Sequence, residues 1–149
     1  MTGKKPLPPT WLLASIVALA LLHFVVPVFR IAPYPWNLVG FLPLAFGVYL
    51  NLSADAALKT CRTTVKPFED SRTLVTTGVY RISRHPMYLG MVCIVFGIAV
   101  FSGSFTPLLV APALALLLEQ KFVRPEEAML EKQFGSEWSD YRRRVRKWI

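Results

Sequence analysis

The chain has 149 residues, enough for one domain, 54% of them are hydrophobic, and the mean hydropathy is positive. That balance excludes an ordinary water-soluble core and points to a protein of the bilayer. A net charge of +8 raises nucleic acid as a partner, but the cations flank apolar runs and leave no soluble domain to form a groove, so anionic membrane lipids are the expected contacts and no obligate protein partner is inferred.

Residues 11–29 carry no formally charged side chain over 19 positions, about the length needed to cross a ~30 Å hydrocarbon layer as a helix. No A-x-A-like cleavage site follows, so the segment reads as a retained span rather than a leader. Three more apolar segments follow, at 38–58, 87–102 and 105–123. Pro43, Gly47, Asn51 and Asp55 interrupt the second, and Pro107 and Pro112 the fourth, which predicts bent or partly unwound helices. Ser102, Gly103 and Ser104 form a short turn signal, making the last two spans a tight hairpin.

The cations test this count independently. Lys4 and Lys5 precede the first span, Lys59, Arg62, Lys66, Arg72, Arg81 and Arg84 lie between the second and third, and eight more, from Lys121 onward, occupy the end. Only Arg30 falls on the other side. Four spans with both termini cytoplasmic satisfy the positive-inside rule. Cys61 and Cys93 have no ligand-spaced partners and read as reduced thiols, with no metal site. His23, alone in the first span, reads as a satisfied interior histidine; Asp55 and Glu119 fall near inner span ends, where an ion pair is cheaper than deep burial.

The 26-residue stretch from Lys59 to Arg84 is too polar to span and long for an idle connection. Residues 63–65 and 74–75 are short extended candidates, and Gly78 a turn. His85 and Pro86 then open the third span. Proline suits a first helical turn, where its missing N–H is no loss. The free N–H groups of Met87, Tyr88 and Leu89 admit two readings, a simple helix start or a small anion site. The stretch RPEEAMLEKQFGSEWSDY, residues 124–141, begins another helix at Pro125. Glu126 and Glu127 suit its first turn without any ligand, and equally suit a ligand's ammonium or hydroxyl groups. Beyond a break at Gly135, Trp138, Tyr141, Val145 and Trp148 recur at helical spacing among arginines, as an amphipathic anchor or packing face.

Read together, TTVKP, LVTTGVYRISRHPMYLG and EEAMLEKQFGSEWSDYRRRV, covering most of residues 63–145, resemble the isoprenylcysteine carboxyl methyltransferases and their phospholipid-methyltransferase relatives. The resemblance implies one all-α integral membrane domain over residues 1–149, with about four transmembrane helices: an N-terminal pair (1–58), a cytoplasmic connector (59–86), a helical hairpin (87–123) and C-terminal amphipathic helices (124–149). It implies S-adenosyl-L-methionine as cofactor, S-adenosyl-L-homocysteine as product and an amphiphilic or lipid acceptor. The cofactor would lie at the cytoplasmic face, and the chain has no G-x-G-x-x-G for a nucleotide sheet. By the same resemblance His85, Pro86, Met87 and Tyr88 form the cofactor-binding turn, Tyr80 with Arg72, Thr73, Leu74 and Val75 its upstream wall, and Glu126 and Glu127 the closing acidic pair. Arg124 would steer an anionic acceptor. Glu127, His85 or a bound water would take a proton from an amine or thiol acceptor. A nicotinamide-dependent membrane reductase and a non-enzymatic scaffold are the alternatives.

Overall fold

A computed structural model describes residues 7–26, 28–61 and 73–149. Arg72 and the extended candidate at 63–65 lie outside the described residues. Among these described residues six α-helices follow in order: α1 (Pro8–Val25), α2 (Phe41–Thr60), α3 (Pro86–Ser102), α4 (Val110–Leu118), α5 (Arg124–Phe134) and α6 (Ser136–Arg144). Among the described residues there is no strand, only an isolated bridge between Arg30 and Ser104. Residues 74–75 are therefore not paired as a sheet.

Among the described residues three helical runs are long and apolar enough to cross a membrane: Pro8–Val25, Trp36–Thr60 and Thr106–Phe134. The expected third apolar segment, 87–102, is α3, an apolar helix of 17 residues that Pro86 starts and Gly103, at φ 72°, ends. At 1.5 Å per residue that is roughly 26 Å. α3 is nonetheless the central helix. Met91, Val95 and Ala99 pack against Val110, Ala111, Leu114 and Leu118 of α4, and Leu89 packs against Leu50 and Ala54 of α2. α1 contributes mainly Leu19 to this core and leaves Leu13, Val17 and Leu21 exposed, as a lipid-facing helix would.

The prolines and glycines of α2 act differently from the expectation. α2 runs unbroken because Pro43 sits in its first turn, where no intrahelical N–H is needed. Gly40 and Gly47 instead let α2 touch α3. A Cβ built on Gly47 would lie 2.5 Å from the Gly90 carbonyl oxygen, and one on Gly40 2.5 Å from that of Gly97. Gly40, at the N-cap of α2, and Gly47 within it thus meet Gly97 and Gly90 of α3 in antiparallel register, the close packing that lipid-embedded helices use.

The run after α3 does change its winding. It starts as a 3-10 turn at Thr106–Leu109, continues as α4, widens into a π-helical turn at Glu119–Val123 and resumes as α5. Pro125 supplies the reason: it offers no N–H and its ring crowds the carbonyl four residues earlier, strain that a wider turn relieves. At the far end, the Phe105 N–H donates to the Phe29 carbonyl (3.0 Å), the Thr106 hydroxyl to the Val26 carbonyl (2.7 Å), and His23 Nδ1 lies 2.9 Å from the Ser104 hydroxyl. His23 is thus satisfied, as its isolation in the sequence predicted.

Candidate active site

The opposite end of the bundle gathers the chemistry. The start of α3 and the start of α5 meet there although some forty residues separate them. The Tyr88 hydroxyl donates to Glu126 Oε2 at 2.9 Å. His85 Nε2 lies 3.3 Å from Glu127 Oε1, and because a carboxylate only accepts, that nitrogen carries the proton. Arg84 donates to the same oxygen from Nε (3.0 Å) and Nη2 (2.7 Å). Its side chain is 7% exposed and its guanidinium lies 5.7 Å from the centroid of the Trp138 ring.

The chain after α6 completes the cluster. Arg84 Nη1 donates to the carbonyls of Val145 (2.9 Å) and Arg142 (3.2 Å), the Arg84 N–H to Arg146 (3.0 Å), and the Ser83 hydroxyl to Lys147 (2.8 Å). The Tyr141 hydroxyl donates to the Tyr80 carbonyl at 2.7 Å, and burial pushes its pKa up, so it remains a donor. Residues 145–148 are not helical. The stripe of Trp138, Tyr141, Val145 and Trp148 is therefore a packing face, with Trp138 and Tyr141 buried against protein.

Lys147 Nζ stands 2.8 Å from Glu119 Oε1 and 3.2 Å from Glu127 Oε2. Those two acids are eight residues apart, about 80° out of phase on a regular helix. The π-helical turn takes up one residue, so they align as a pair seven apart would. Glu119 forms the ion pair its position suggested, with Lys147 and with Arg124 Nε at 3.4 Å.

The residues singled out in the sequence divide into groups. His85, Tyr88, Glu126 and Glu127 touch one another, Pro86 is buried beneath them, and Met87 packs on the α2 side. Tyr80 lies in a 3-10 turn (Gly78–Arg81), its hydroxyl pKa raised by burial and then by the charge of Glu126. Val75 is buried, Leu74 half-buried and Thr73 exposed. The Arg124 side chain is 70% exposed and joins the cluster only through Glu119. Of the three N–H groups at the start of α3, that of Leu89 is taken by the His85 carbonyl at 3.0 Å. Arg84 and Lys147 were missed as site residues. Arg84 adjoins His85 and could have been found, whereas nothing local marks Lys147.

Burial alone would raise the Glu127 carboxyl above its ordinary 4.5, but hydrogen bonds from His85 and Arg84, with the charge of Arg84, outweigh it and hold the pKa at about 2. A carboxyl so acidic is a poor proton acceptor near neutrality, which argues against Glu127 as a base. Its folded pKa lies below its unfolded one, so its contribution to stability is complete above about 4.5 and is lost as pH falls toward 2. Thermal melts in detergent should show the gap between wild type and Glu127→Gln narrowing as pH falls from 7 to 3. A gap independent of pH would contradict the assignment.

Fold and site together define a helical integral membrane protein with a charged, partly buried site at one end of the bundle. The chain belongs to the phospholipid methyltransferase family, whose sequence profile matches residues 36–137. It is 29% identical over 119 residues to a protein-S-isoprenylcysteine O-methyltransferase of Schizosaccharomyces pombe, covering 78% of this chain and 50% of that protein. Its fold resembles the solved structure of a eukaryotic intramembrane Ras methyltransferase, an isoprenylcysteine carboxyl methyltransferase, with a TM-score of 0.68 and 22% identity over 95% of this chain and 51% of the other. The chain thus spans about half the length of either relative.

Proposed function

We propose that this protein transfers a methyl group from S-adenosylmethionine to an amphiphilic acceptor whose apolar tail enters from the bilayer. The observation that carries the reading is the meeting of His85 and Tyr88 with Glu126 and Glu127 at one end of the bundle. The donor set suits the cofactor. Glu126 accepts one hydrogen bond, from Tyr88, and keeps acceptor capacity for an ammonium or ribose hydroxyls. The Met87 and Tyr88 N–H groups, at the positive end of α3, suit a carboxylate. Glu119 Oε2, buried with no hydrogen-bond partner among the described residues, adds an acceptor nearby.

When bound, the cofactor would supply an electrophilic methyl on a sulfonium, displaced in line by the acceptor. The chain's work is then alignment and exclusion of water, and no enzyme nucleophile is required. Tyr88, packed between His85 and Phe122, fixes the orientation of Glu126. A carboxylate acceptor, such as the name of the structurally similar carboxyl methyltransferase indicates for that protein, needs no base. Arg124, exposed beside the cluster, is placed to attract one. Lys59, Arg81, Lys121, Arg124 and the arginines of α6 lie toward the site end and Arg30 at the other, which supports a cytoplasmic site by the positive-inside rule.

Calorimetric titration of detergent-purified protein with S-adenosylhomocysteine should give saturable binding, with none for nicotinamide dinucleotides. Glu126→Gln and Tyr88→Phe should each weaken it, the former by about tenfold or more, as expected for loss of a charge-assisted hydrogen bond. Unchanged affinity in both folded variants would remove the site. Absence of binding to wild type would remove the function.

A further inference from the structure

Glu126 and Glu127 are neighbours in sequence, yet the fold uses them differently. Both oxygens of Glu127 face the chain's own cations: Oε1 accepts from Arg84 and His85, and Oε2 lies 3.2 Å from Lys147 Nζ. Among the described residues Glu126 accepts only the Tyr88 hydroxyl. A carboxylate offers about four acceptor directions, so Glu126 retains capacity while the charge of Glu127 is already matched. Lys147 is held in place from both sides. Its carbonyl accepts from Ser83, and its ammonium bridges Glu127 to Glu119 at 2.8 Å. Hydrogen bonding to Glu119 raises its pKa most, burial opposes it, and hydrogen bonding to Glu127 adds to the rise, so it stays charged.

Building on the function proposed above, we infer that Lys147 is a positioning residue that reserves Glu127 for the fold and directs a ligand's ammonium group to Glu126 alone. Deleting its charge frees Glu127 Oε2 as a second acceptor beside the first and makes the site more negative by one charge. The ligand's ammonium then gains, while a ligand without one gains nothing.

The test compares S-adenosylhomocysteine with its deaminated analogue, in which hydrogen replaces the amino group, by calorimetric titration of the full chain. Wild type should prefer the amino-bearing ligand, and Glu126→Gln should abolish that preference. Lys147→Met should raise the preference by about three- to tenfold, the size expected for one charge at partly screened range. Lys147→Arg should restore the wild-type ratio. If Lys147→Met does not fold, Lys147→Gln must move the ratio in the same direction. A Lys147 variant that weakens both ligands equally, leaving the ratio unchanged, would overturn the assignment while sparing the proposed function. A wild-type protein that binds neither ligand would overturn both.

Discussion

Replacing Arg84 with methionine should destabilise the protein by about 3 kcal/mol or more, among the largest effects of any single change at the site. The side chain is 7% exposed and its partner Glu127 13%. Removing one member of a buried pair leaves the other's charge uncompensated, the costly case, whereas the pair itself is a weak net stabiliser. Methionine also leaves the Val145 and Arg142 carbonyls without their donor and the Trp138 ring without its cation. Arg84→Lys should rescue little, because one ammonium cannot reach a carboxylate and two carbonyls from a fixed fork. Thermal melts and limited proteolysis provide the readout: residues 145–149 should become cleavable before the bundle melts. A variant with the wild-type melting temperature and an uncleaved C-terminal segment would refute this.

Gly90→Leu should prevent α2 and α3 from docking. Even a Cβ at this position would lie 2.7 Å from the Gly47 carbonyl oxygen and 2.1 Å from Asn51 Nδ2, which itself donates to that carbonyl. The asparagine can move; the backbone of α2 cannot do so without parting the helices. Overpacking a core ordinarily costs ~1–3 kcal/mol, and a clash of helix against backbone belongs at or beyond the upper end. Loss of monodisperse protein on size exclusion, or a melting temperature lowered by ten degrees or more, is expected. Gly78→Ala is the control. That glycine has nothing within 4 Å of a built Cβ and only a φ of 62° to lose, so ~1–2 kcal/mol is its ceiling.

The contrast between these glycines marks what the sequence can carry. Local signals were readable: the uncharged run of α1, Pro86 opening α3, the turn at Gly103, the break at Gly135. The meeting of His85 with the acidic pair was readable too, through the family resemblance of the motifs in their order rather than through any pattern in either stretch. Gly47 looked like an interruption, and Gly40, Gly90 and Gly97 carried no signal, because their purpose is the opposite helix, and two glycines seven residues apart on one helix name no partner. The unequal fates of Glu126 and Glu127 were hidden for the same reason. Adjacent residues of identical chemistry differ only in what the rest of the chain brings to them, and Lys147 arrives from twenty residues downstream. The winding of the fourth apolar segment was half readable: its prolines announced a disturbance, but not that the helix would widen at Glu119–Val123 and bring two carboxylates into phase.

The bonds from Ser83 and Arg84 to the carbonyls of residues 142–147 set an order of events during biogenesis. Translation makes α3 before those acceptors exist, so for that interval the guanidinium of Arg84 and the hydroxyl of Ser83 await their carbonyl partners. A chain lacking residues 142–147 would keep every apolar helix and still lack the carbonyls that hold Ser83 and Arg84 in place.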